Sequence, residues 1–112
     1  MTELSKQKCA PCEGGVQPYT RDEANQQMKL LNSAWNLAPD AKSLHRAFAF
    51  KNFYRTMSFV NAVAHIANTE DHHPDLEVGY NYCRMKFSTH SIGGLSRNDF
   101  ICAAKIDELA LE

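Results

Sequence analysis

Two neighbouring stretches limit what this chain can fold into more than any other feature. Leu76, Val78 and Tyr80 alternate with Glu77 and Gly79, and Cys83, Met85 and Phe87 alternate with Arg84, Lys86 and Ser88. Successive side chains on a strand point to opposite faces, so each run has one apolar and one polar side. Two such runs, this close together, bury their apolar sides together as an antiparallel hairpin. A hairpin of this kind needs a covering layer. The preceding segment supplies one: Phe59, Val60, Val63, Ala64 and Ala67 recur at three- and four-residue steps, the pattern of an amphipathic helix. Pro74 bounds that helix and pushes His73, the residue before it, into extended geometry.

The other elements follow from local signals. Thr20 with Glu23 reads as a capping box, and Ala24, Met28 and Leu31 continue at helical spacing, which predicts a first helix from about Arg21 to Asn32. Trp35 to Leu37 is a short candidate strand closed by Pro39 and Asp40. Leu44, Arg46, Phe48 and Phe50 share one face of the next strand. Gly93-Gly94 marks a turn, and Ser96 with Asp99 opens a last helix through Phe100, Ala103, Ala104 and the Ile106 to Leu109 segment. The order helix, strand, strand, helix, strand, strand, helix points to an α+β fold with helices packed on one face of an antiparallel sheet. Pro11, Gly14, Gly15 and Pro18 interrupt any pattern before Thr20. Residues 1–19 are therefore expected to be a flexible arm and residues 20–112 a single domain.

Composition removes several classes of function. The net charge of −1 gives no field that would gather nucleic acid or an anionic membrane, so neither is an expected partner. No apolar run approaches the roughly 20 residues that span a bilayer. Met1 to Lys8 is too polar for the apolar core of a secretory signal, so the expected location is the cytoplasm and the four cysteines are expected to be reduced. Cys9 and Cys12 form one C-x-x-C, a pair short of a four-cysteine zinc site. They are compatible with metal or redox chemistry, although incidental cysteines in a loose arm are the simpler reading.

The five histidines are not scattered evenly. His72 and His73 sit in Glu70-Asp71-His72-His73-Pro74-Asp75, and His90 follows Ser88-Thr89 at the end of the hairpin. A two-residue turn at Asn81-Tyr82 sets His73 opposite His90, and a turn one residue earlier sets Asp71 opposite His90. Either register brings the third imidazole to the adjacent pair. Histidine titrates near neutral pH, so one imidazole can act as base while another acts as acid. Elimination of water needs that combination, and Asp71 is placed to hold one imidazole charged. No serine, cysteine or lysine stands out as a nucleophile. A zinc site built from the three histidines also fits the spacing. In extended chain, however, His72 and His73 splay apart, which disfavours joint ligation. His45 and His65 stand alone and are read as structural.

From about Trp35 to Leu109 the chain resembles the pterin-4a-carbinolamine dehydratases. The resemblance rests on His72-His73-Pro74, on Ser88-Thr89-His90, and on Gly93-Gly94-Leu95-Ser96 with Asp99 following, in order and at compatible spacing. It implies a four-stranded antiparallel sheet with helices on one face, and a homodimer or homotetramer. It also implies a hydro-lyase that dehydrates 4a-hydroxytetrahydropterin to the quinonoid dihydropterin, recycling the cofactor of an aromatic amino acid hydroxylase. His72, His73 and His90 match the catalytic histidines of the family. Pro74, Thr89 and the backbone near Ser91 match its pterin-contacting segments and Asp99 the acidic residue near the site, and Asp71 and Ser88 are expected to contact substrate beside them. Neither a metal nor an organic cofactor is required by that chemistry. Two positions depart from many animal members: Asn68 stands in place of a glutamate, and Leu76 near the place of an aromatic. Some animal relatives double as dimerisation cofactors of a homeodomain transcription factor, so a protein-binding regulator without catalysis is the alternative.

Overall fold

The apolar faces found in the sequence meet on one side of a single sheet. A computed structural model describes residues 3–11 and 16–109. Its elements are α1 (Arg21–Met28), β1 (Asn36–Leu37), β2 (Leu44–Ala49), α2 (Phe53–Glu70), β3 (Asp75–Val78), β4 (Tyr82–Phe87) and α3 (Arg97–Asp107). The four strands are antiparallel in the order β1-β2-β4-β3. Leu44 and Phe48 on β2 and Cys83, Met85 and Phe87 on β4 point inward. They join Phe59 and Val63 of α2 and Phe100, Ile101 and Ala104 of α3 in one core cluster. Full burial of each large apolar side chain contributes about 1.5–3 kcal/mol. Phe48 and Phe59, with ring centroids 4.5 Å apart, join sheet to helix. The architecture is the α+β arrangement expected, with helices on one face.

Where boundaries differ from the sequence pattern, local bonds explain the difference. α1 stops at Met28 because Leu30 and Leu31 donate to Gln27 and Met28, tightening the chain into turns. The Asn32 amide is then captured by Asp107 at 2.8 Å. The same carboxylate accepts the Trp35 indole N–H and an Arg46 N–H, both at 2.7 Å. Arg46 thereby keeps its charge on the inner face of β2 and lays its guanidinium over the Phe48 ring.

The hairpin register is the second of the two considered. Leu76 pairs with Met85 and Asp75 with Lys86, and Gly79 donates to Tyr82 across the turn. Tyr80 and Asn81 are therefore the central residues, so the register that would set His73 opposite His90 is corrected. A Cβ on Gly79 would lie 2.0 Å from the Tyr82 ring. The Tyr82 ring therefore rests on Gly79 in a space that a larger residue would take from it.

The first residues are not simply loose. Leu4, 4% exposed, joins the core cluster from a short 3-10 turn at Leu4–Lys6. Lys105 of α3 donates to the Ser5 carbonyl. Asn98 grips the Ala10 peptide at both its N–H and its C=O. One anchoring leucine and backbone hydrogen bonds leave no periodicity, so the residue pattern carries no sign of this docking. Cys12 lies outside the described residues.

Candidate active site

The site begins where α2 ends. Asp71 adopts the left-handed conformation (φ 52°), and the Asp71 and His72 amides both turn back to the Ala67 carbonyl. Aspartate tolerates this conformation better than most residues with a Cβ. The helix thus closes at Glu70, and the chain leaves it extended toward Pro74. His72 turns inward and His73 turns back over the helix. This is the splaying that adjacent residues of extended chain produce.

Beneath His72 lies Asp99, fully buried, at the third position of α3. The position is set by a capping box: Ser96 and Asp99 reciprocally satisfy the free amides of the helix start. Asp99 Oδ2 accepts from the Ser96 amide at 3.0 Å and the Thr89 hydroxyl at 2.7 Å. Since Thr89 gives its one proton to Asp99, Ser96 Oγ donates to Thr89 Oγ at 2.8 Å. The remaining oxygen, Oδ1, meets His72 Nε2 at 2.6 Å. A carboxylate there accepts, so His72 carries its proton on Nε2 and leaves Nδ1 as the nitrogen able to take one up. The imidazole is also stacked on Phe87, at an interplanar angle of 4° and a centroid distance of 6.0 Å. Two constraints therefore fix the ring: a hydrogen bond in its plane and an aromatic face against it.

His73 and His90 complete the constellation from the rim. His73 Nε2 lies 3.1 Å from Asn68 Oδ1, one helical turn back, so Asn68 holds this ring. His90 opens the 3-10 turn His90–Ile92, which Gly93 closes at φ 67°. The three imidazoles line one hollow of about 550 Å³, together with Asp71, Ser88, Thr89 and Ser91. Pro74 and Asp99 do not line it: Asp99 acts from below, through His72. Asp71 lines the wall, but among the described residues no hydrogen bond or ion pair joins it to an imidazole. The carboxylate that orients a ring is Asp99. Leu76 packs against the core and is not part of the hollow.

The rest of the wall was not legible in the sequence. Cys9, Ala10 and Pro11 border the hollow, with Glu70 and Asn98 behind them. Burial pushes the Glu70 carboxyl up, but the Cys9 amide and the ammonium groups of Lys105 and Lys8 outweigh it, holding it below the usual carboxylate range. A carboxylate with a depressed folded pKa stabilises fully above its unfolded value, about 4.3, and loses that contribution as pH falls through the folded one. Glu70→Gln is accordingly expected to flatten the acid limb of a stability-against-pH curve below about pH 5, measured by urea unfolding. An acid limb identical to that of wild type would remove Glu70 as the arm's pH-dependent anchor. Among the described residues no group of three or more His, Cys, Asp or Glu side chains is arranged to hold a metal ion. No helix among them is long and apolar enough to cross a membrane.

Comparison with known proteins gives one answer. The family profile for Pterin 4 alpha carbinolamine dehydratase matches residues 17–109. A protein of Nitrosomonas eutropha, provisionally named a pterin-4-alpha-carbinolamine dehydratase, is 56% identical over 97% of this chain and 95% of its own length. One of Legionella pneumophila strain Corby, under the same provisional name, is 52% identical over 99% of this chain and 98% of its own. Among solved structures, a transcriptional coactivator/pterin dehydratase from Brucella melitensis superposes with a TM-score of 0.75 at 29% identity, covering 80% of this chain and 95% of that one. A pterin dehydratase-like RuBisCO assembly factor of the alpha-carboxysome shares the fold, with a TM-score of 0.58 at 21% identity over 68% of this chain and 88% of that one. With the profile spanning the sheet, the histidine rim and the capped last helix alike, the chain belongs to the pterin-4-alpha-carbinolamine dehydratases, a hydro-lyase family.

Proposed function

We propose that this protein dehydrates 4a-hydroxytetrahydropterin to quinonoid dihydropterin, with His72, His73 and His90 carrying the protons. In that reaction the C4a–O bond breaks, a proton reaches the departing oxygen, and a ring nitrogen of the pterin gives one up. Net proton balance is zero apart from the water released, so two imidazoles in opposite protonation states suffice. The observation that carries this reading is the His72–Asp99 pair. A buried carboxylate with three donors fixes the tautomer of an imidazole that borders a pterin-sized hollow, beside two further imidazoles. Thr89 holds Asp99, and Asp71, Ser88 and Ser91 line the hollow, while Pro74 only keeps the chain at His73 extended beside it. In this role the protein serves an aromatic amino acid hydroxylase in the cytoplasm, as a homodimer or homotetramer.

The test uses 4a-hydroxytetrahydropterin generated enzymatically in the cuvette. Wild type is expected to accelerate formation of the quinonoid product. His73→Ala is expected to reduce kcat about a hundredfold, with an unchanged circular dichroism spectrum. A wild-type protein that adds nothing to the spontaneous rate would reject the reading. The Brucella neighbour's double description supports a second one, a protein-binding regulator. Absence of turnover together with a stoichiometric co-purifying partner would favour it.

A further inference from the structure

Cys9 and Cys102 are 93 residues apart in the sequence, yet their sulfurs lie 3.6 Å apart. One belongs to the arm and the other to α3. Cys102 is fully buried, and its thiol points at the backbone carbonyl of His72 at 3.9 Å. Cys9 is half-buried and borders the hollow. The contact is not incidental to the path of the arm. The Cys9 amide is held by Glu70 at 2.8 Å, and the next peptide is held at both ends by Asn98. The backbone on either side of the Cys9 side chain is thus anchored independently of the contact between the sulfurs. Bringing them to bonding distance, ~2.05 Å, needs about 1.5 Å of approach, within the reach of side-chain rotation and a small shift of the arm.

We propose that Cys9 and Cys102 form a reversible disulfide that fastens the arm across the site, and that a small-molecule disulfide is the oxidant. The reaction is two exchanges. The Cys9 thiolate attacks one sulfur of the oxidant, forming a mixed disulfide and releasing one thiol. Cys102 then attacks the Cys9 sulfur and releases the second. Two protein thiols are oxidised, one disulfide is reduced to two thiols, and both protein protons finish on those thiols. The order follows from access: a bulky oxidant reaches the half-buried Cys9, whereas Cys102 has no exposed surface. Its hydrogen bond to Cys9 and its burial also push the Cys102 thiol up, which makes it the resolving rather than the attacking cysteine. The bond replaces a wall held by hydrogen bonds with one held covalently, directly behind His72. It does not depend on the dehydratase reading.

The experiment treats the full chain with oxidised glutathione, followed by peptide mapping without reductant and thermal unfolding. Cys12 is the competing partner by sequence, so the same measurements are made on Cys12→Ser. A Cys9–Cys102 peptide is expected in both proteins. Closing so long a loop is expected to raise Tm by roughly 10 °C, reversed by reductant. Cys9→Ser, a substitution outside the core, is expected to abolish the shift. A mapped bond between Cys9 and Cys12, or oxidised Cys12→Ser with only glutathione adducts and an unmoved Tm, would overturn the proposal.

Discussion

Asp99→Asn is expected to leave the protein folded and to lower dehydration by about a hundred- to ten-thousand-fold. The argument is one of tautomers. The Ser96 amide and the Thr89 hydroxyl both donate to Oδ2, so the amide oxygen of the substituted asparagine must take that place. Its NH2 group then faces His72 Nε2 at the former Oδ1 position. Two N–H donors cannot share that contact, so the imidazole moves its proton to Nδ1. The ring keeps its position and loses the lone pair through which it would accept a proton from substrate. A carboxylate that only capped α3 would affect stability and leave kcat alone, so the comparison is kcat against the urea midpoint. A kcat within about threefold of wild type, in a folded protein, would remove Asp99 from the proton path.

The second large effect is structural. Phe87 is the last residue of β4, and its side chain is buried against Trp35 on one side and the His72 ring on another. Phe87→Ala removes most of a fully buried aromatic from the core, at a cost of about 3–5 kcal/mol. Small domains have total stabilities of about 5–15 kcal/mol, so much of the margin is lost. With a slope of about 1–3 kcal/mol/M, the urea midpoint is expected to fall by about 2 M. Phe87→Leu refills most of the volume and costs about 1 kcal/mol, but offers no flat face to the imidazole. Lower activity in the leucine variant at near-normal stability would identify the stacking contact as part of the site. A midpoint unchanged in the alanine variant would contradict the packing described.

Much of this was readable from residues, and what was not has physical reasons. The hairpin, α2 and the last helix follow from periodicity and capping, because those signals lie within a few residues of one another. The convergence of His72, His73 and His90 was visible because a hairpin converts sequence distance into spatial distance by simple arithmetic. The exact register was not. Two registers one residue apart both fit the alternation, and Tyr80-Asn81, the pair that forms the turn, carries no strong turn signal. The neighbouring Asp71 was the natural electrostatic partner for the histidines, yet the partner is Asp99, 27 residues from His72. Local sequence offers no link between them, although the Ser96-to-Asp99 capping signal and the family pattern both marked the residue. The arm was least legible of all: Leu4, Cys9 and Ala10 are held by one buried side chain and by hydrogen bonds to Glu70 and α3, and such isolated anchors have no period.

Asp99 lies on the final helix, whereas every imidazole of the rim precedes it in the chain. A nascent polypeptide that has been made only as far as Ile92 already holds all three bases, the strand that bears Phe87 and the helix that ends at Glu70. It has the aromatic face that stacks on His72 but lacks the carboxylate that fixes its tautomer. In the proposed chemistry, turnover therefore waits for synthesis and docking of α3, and a product truncated before α3 would keep the histidines but not the reaction.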